Sequence, residues 1–91
     1  MVYTIADIER AERRLRNEVL KLANTIVSEL RKRGVKVKAV IKYDYKDAPM
    51  SAIVLIIGKE GVYARYLLYL NENGDVEVLE TRGLGYGSMT D

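Results

Sequence analysis

The side chains able to do chemistry in this 91-residue chain are carboxylates, lysines, arginines, tyrosines and a few hydroxyls. Histidine, cysteine, tryptophan and phenylalanine are absent. Glutamine is absent too. Without histidine the commonest general acid and base near neutral pH is missing, and so are the Ser-His-Asp triad and the His-Glu-x-x-His zinc site. Without cysteine there is no thiol nucleophile, no disulfide framework and no thiolate zinc site. The acids Asp44, Asp47, Glu60, Glu77 and Glu80 fall at strand ends or on the last strand. A magnesium site would need two of them to converge. The acid plus Glu-x-Lys pattern of metal-dependent nucleases is not met, because the relevant stretches read Ala64-Arg65-Tyr66 and Glu77-Val78-Leu79. Gly83-Leu84-Gly85-Tyr86-Gly87 is glycine-rich, but it lacks a following helix to present amides and a dipole to a phosphate. The expectation is a chain that is not an enzyme, with no cofactor, no metal site and no small-molecule ligand.

Binding chemistry is better represented. Lys36, Lys38 and Lys42 alternate along one segment, and Tyr63, Arg65 and Tyr69 alternate along another. If both segments are strands of one sheet, these six residues share a face. Lysines neutralise phosphates and tyrosine rings stack on bases, so the set is that of a single-strand nucleic-acid platform. Tyrosine and arginine are also enriched in protein interfaces. The seven tyrosines are the chain's only aromatic residues, and a tyrosine suits places where a ring meets a partner and a hydroxyl meets water.

The elements that must position these residues are legible. Residues 4–33 read as one helix: Ile8, Ala11, Leu15, Val19, Leu22, Ile26 and Leu30 recur at spacings of three and four. Leu20, Ala23 and Val27 widen the stripe, which predicts deeper burial in the second half. Thr4 with Asp7 makes a capping pattern, and Gly34 suits a left-handed C-cap. Glu9–Arg13, Glu12–Arg16, Arg14–Glu18 and Glu29–Arg33 are spaced as i,i+4 pairs, which predicts a solvated helix face laced with ion pairs.

After Gly34 the chain reads as strands at 35–45, 51–57, 62–70 and 75–82. Lys46–Met50, with the single proline Pro49, is a loop, and Gly58–Gly61 and Asn71–Gly74 are hairpin turns. On the first strand Val35, Val37, Ala39, Ile41 and Tyr43 face the helix; on the third, Val62, Ala64, Tyr66, Leu68 and Leu70 do. The second strand is apolar on both sides, which a sheet wetted on one face does not need.

The predicted fold is α+β in two layers, one long N-terminal helix packed on a four-stranded antiparallel meander, in the order α-β-β-β-β. Residues 1–82 form a single domain, followed by a flexible tail at 83–91. The alternative for this tail is that Leu84 and Tyr86 dock on another subunit. The helix is longer than the strands, so its first half overhangs and exposes Ile8, Ala11 and Leu15 as oligomer contacts. The predicted function is a self-associating structural or protein-interaction module, a homodimer; the alternative is a nucleic-acid-binding protein using Lys36, Lys38, Lys42, Tyr63, Arg65 and Tyr69 with weak sequence specificity. A net charge of only +2 counts against the alternative. No apolar run is long enough to span a membrane and no secretory signal opens the chain, so the expected compartment is the cytoplasm. Missing Cys and Gln with abundant Lys, Arg and Glu fit a thermophilic source.

Overall fold

The computed structural model describes residues 4–44 and 50–82 of the chain. They form a helix α1 (Ile5–Lys32) and four strands: β1 (Val37–Asp44), β2 (Ser51–Gly58), β3 (Gly61–Leu70) and β4 (Val76–Arg82). The sheet is an antiparallel meander in the order β1-β2-β3-β4. This is the two-layer α+β architecture that the sequence predicts.

Local chemistry sets both ends of α1. Thr4 stands in an extended conformation as N-cap, and its Oγ1 accepts from the Asp7 amide at 3.1 Å. The Asp7 carboxylate accepts from the Thr4 amide, also at 3.1 Å, which closes the capping box. The Arg10 guanidinium donates to the same carboxylate at 2.8 Å. That bond and the two to Thr4 hold the Asp7 pKa down to about 2. At the other end the Gly34 amide donates to the Arg31 carbonyl and the Val35 amide to the Leu30 carbonyl. This is a Schellman ending, and it places Gly34 at φ +85°, where a side chain would be strained.

One face of the sheet packs on the helix. Its core is Leu15, Val19 and Ala23 of α1 against Val37, Ala52, Val54, Ile56, Ala64, Tyr66 and Leu68, with Met50 at one end. Leu22, Ile26, Val27 and Leu30 pack around this core but stay partly open. Apart from Leu15, the helix residues in or against the core, from Val19 to Leu30, lie in the second half of α1, as the widened stripe predicts. A 28-residue helix is about 42 Å long, an eight-residue strand about 27 Å, so the sheet leaves both helix ends short of cover. Leu20, assigned to the stripe from its spacing, is 51% exposed.

A second departure lies at the start of β3. The β2–β3 register shifts between Ile56 and Ile57: Ile56 pairs with Ala64, but Ile57 pairs with Val62. Tyr63 is the additional residue of a bulge. Strict alternation places Val62 on the helix side, whereas the bulge sets it opposite Ile57, and it is 52% exposed. The loop at 45–49, with Tyr45 and Asp47, and the tail at 83–91, with Leu84 and Tyr86, lie outside the described residues.

Truncating Leu68, which is fully buried at the centre of β3, is expected to cost about 2–5 kcal/mol in urea unfolding. The Asp7 carboxyl should titrate by NMR with a midpoint at about 2. A carboxylate whose folded pKa is depressed stabilises the fold above its ordinary pKa near 3.8 and loses that contribution as pH falls through about 2. Thr4→Ala should move this midpoint upward and fray the first turn.

Candidate interaction face

Among the described residues the face of the sheet away from α1 collects most of the cations and tyrosines singled out by spacing. Alternation follows directly from the core. Val37, Ala39, Ile41 and Tyr43 pack toward α1, so Lys38, Val40 and Lys42 lie on the outer side of β1. By the same parity Ser51, Ile53, Leu55 and Ile57 are outward on β2, Arg65, Leu67 and Tyr69 on β3, and Glu77 and Leu79 on β4. The ladder sets these in rows: Val40 beside Leu55 beside Arg65, Lys42 beside Ile53 beside Leu67 beside Leu79, and Asp44 beside Ser51 beside Tyr69 beside Glu77.

The outer face is therefore an apolar band with charged ends. Val40, Ile53, Leu55, Leu67 and Leu79 form the band, and Leu79 is 53% exposed. The described residues span 45 × 31 × 18 Å, and among them the shortest dimension accommodates one helix layer and one sheet layer. Sequence reasoning placed charges and tyrosines on this face and read the two-sided apolar second strand as a sign of self-association, without naming Ile53, Leu55 and Leu67 as the centre of the face. The signal was present in the two-sided apolar pattern of β2.

Of the six residues expected to share this face, Lys38, Lys42, Arg65 and Tyr69 do so, and Tyr63 joins them at the bulge, 45% exposed. Lys36 precedes β1 and is exposed beside its start. Tyr69 is less available than its spacing implies. Its hydroxyl donates to Glu77 Oε1 at 2.9 Å, while Asn71 Nδ2 donates to Glu77 Oε2 at 2.8 Å. The bonds from Asn71 and Tyr69 push the Glu77 pKa below the usual carboxylate range, and the same Glu77 contact pushes the Tyr69 hydroxyl pKa up. An anchored carboxylate thus stands at the end of the face where a nucleic acid would need neutral or positive groups.

Asn71 also organises the turn behind this carboxylate. Its Oδ1 accepts from the amides of Asn73 at 2.8 Å and Asp75 at 3.0 Å, and Gly74 takes φ +82° to complete the turn. Arg14 of α1 reaches the same turn, donating to the Gly74 carbonyl at 3.2 Å and to Asp75 at 3.3 Å. On the opposite flank Arg16 stands 5.5 Å from the centroid of the Tyr43 ring, a cation–π distance. Two arginines spaced for intrahelical pairs thus also reach from the helix to the sheet layer, one on each flank. The acid of the last turn departs from its expected spacing too, since Glu29 approaches Lys32 at 3.9 Å, one residue short of Arg33.

The expected helix contacts separate. Leu15 has no exposed surface and belongs to the core, which corrects its placement among the oligomer contacts. Ile8 remains 49% exposed, and with Ala11 it lines a groove that also touches Met50, Leu70 and Asn71. The groove volume is about 770 Å³. Leu15 lies on the same helix face as Val19 and Ala23 and packs on the sheet with them, so of the three expected contacts Ile8 and Ala11 remain at the groove.

Among the described residues no three acidic side chains gather as metal ligands, and no helix is long and apolar enough to cross a membrane. Comparison with known proteins gives no match: no family model, no curated protein and no solved structure is similar to the chain.

Asn71→Ala should loosen the β3–β4 turn by about 1–3 kcal/mol, since it leaves two amides without their acceptor. It should also return the Glu77 pKa toward its ordinary value, read by carboxyl NMR. The sign follows from the lowered pKa. The Glu77 contribution is present above the ordinary carboxylate range and is lost as pH falls through its depressed value.

Proposed function

We propose that the protein is a non-enzymatic, self-associating module, a homodimer that assembles through the outer face of its sheet in the cytoplasm. The observation that carries this reading is the apolar outer side of β2. Ile53, Leu55 and Ile57 sit on the central part of the sheet, and no layer of the described residues lies above them. An antiparallel sheet whose outer face meets only water alternates apolar and polar residues. Here the outer positions of β2 are as apolar as the inner ones, and they continue into Val40, Leu67 and Leu79 on neighbouring strands. Tyrosine and arginine at the rim fit the composition of protein interfaces.

The alternative is a nucleic-acid surface, and the observation in its favour is that Lys38, Lys42 and Arg65 stand on the same open face. Two features weigh against it. The band between these cations is aliphatic instead of aromatic, and stacking on bases needs rings. The hydroxyl of Tyr69 is tied to the ionised Glu77.

Light scattering at micromolar concentration is expected to give twice the 10.3 kDa chain mass. Leu55→Asp should yield a folded monomer, because Leu55 is only half-buried in a single chain and the new carboxylate lies beside Arg65 in the ladder. A clean monomer for the unaltered protein overturns the proposal. Fluorescence anisotropy on single-stranded oligonucleotides at ~50 mM salt checks the alternative, whose binding would fall steeply as salt rises.

A further inference from the structure

The outer face is electrically polarised along its strands, and this polarity selects one way for two copies to meet. At the end formed by the start of β1 and the β2–β3 turn lie Lys36, Lys38 and Lys59, with Glu60 as the one acid. At the other end, formed by the end of β1 and the β3–β4 turn, lie Asp44, Glu72, Asp75 and Glu77. Asp75 is already partnered by Arg14, whereas Glu77 is anchored in its ionised form by neutral donors and keeps its full charge.

We infer that the partner seated on this face is a second copy with its strands reversed, so that the acidic end of each sheet lies over the lysine end of the other. The inference rests on the self-association proposed above and adds the arrangement. Two identical sheets packed face to face are related by a two-fold axis lying in the interface. Aligned sheet packing leaves two choices. With the axis along the strands, β1 lies over β4 of the partner and strand directions are kept. That choice stacks Asp44 near Glu77 of the other copy and sets like ends together. With the axis across the strands, β1 lies over β1 and β3 over β3, each running the opposite way. Lys38 then faces the end that carries Asp44, and the lysines around the β2–β3 turn face Glu72 and Glu77.

The apolar band tolerates both choices, because Val40, Leu55, Ile53 and Leu67 lie near the middle of the face. Charge is what separates them, and charge at a rim acts on orientation and encounter more than on affinity. The area is adequate. Four strands about 4.8 Å apart and about 27 Å long give a flat footprint on the order of 500 Å² per copy. Two such faces cover on the order of 1,000 Å² before side-chain relief is counted, at the threshold of a specific interface. Arg65 fits the same arrangement: it would lie over the region of Leu67 and Tyr69 of the partner, within reach of Glu77. A buried arginine without such a carboxylate would be costly.

The chain lacks cysteine, so single labels are unambiguous. Glu60→Cys and Glu72→Cys, both in exposed hairpin turns, each take a nitroxide for electron–electron distance measurement. In the strand-reversed dimer the two Glu60 labels sit at opposite ends of the sandwich, roughly 30 Å apart, because β2 alone spans about 27 Å. In the strand-preserving dimer they sit at the same end, within about 15 Å, given sheets packed about 10 Å apart. A mixture of the two singly labelled proteins should give a short Glu60–Glu72 distance only in the reversed arrangement. A dimer with a short Glu60–Glu60 distance overturns this inference and leaves self-association standing. A monomer by light scattering overturns both.

Discussion

One helix covering one face of a four-stranded sheet is the constraint from which the rest of this structure follows. The core forms between Leu15, Val19 and Ala23 of α1 and the inward residues of β1, β2 and β3. That burial orders the helix, and the helix in turn closes the inner face. Nothing in the described chain performs the same service for the outer face, although Ile53 and Leu55 make it as apolar at its centre as many interiors. The same alternation that builds the core thus leaves an aliphatic band on the opposite side. A domain of this size buries only roughly 60–65% of its unfolded surface, so further burial against a second copy would add to a modest reserve of stability.

Polar contacts do a different task in this fold. They contribute little to the core, where no charged side chain is buried among the described residues. Arg14 and Arg16 instead act as struts on opposite flanks of α1, one on the β3–β4 turn and one on Tyr43. Exposed pairs of this kind are each weak. The face that turns inward is set by the apolar stripe Leu15, Val19 and Ala23, and Leu20, five residues and about 140° from Leu15, falls outside it. Asn71 joins the turn to Glu77 and fixes a negative charge at one end of the outer face.

The legible parts of this fold were those governed by short-range rules. Thr4, Asp7 and Gly34 bound the helix because capping involves residues within one turn of each other. The four strands and both hairpins could be read because period-two alternation and glycine placement are local. The β3 bulge could not, since it arises from how β2 and β3 share a register, and that left Val62 on the wrong side and Tyr63 as an insertion. The contact of Arg14 with the β3–β4 turn was illegible for a related reason. Spacing along a helix shows which acids are near, yet it carries no record of a turn sixty residues away in sequence that offers Arg14 a carbonyl and a carboxylate.

The candidate face divides in the same way. Sequence by itself indicated that Lys38, Lys42, Arg65 and Tyr69 share a side of the sheet, because in each strand they alternate with the more apolar residues that turn toward the helix. It also excluded triad, thiol and histidine-metal chemistry, since the residue types are missing. Tertiary structure decided which side was left open, what lay at its centre, and how its charge was distributed. Those properties depend on where one helix comes to rest and on which cross-strand neighbours meet, and both are set by packing between segments far apart in the chain.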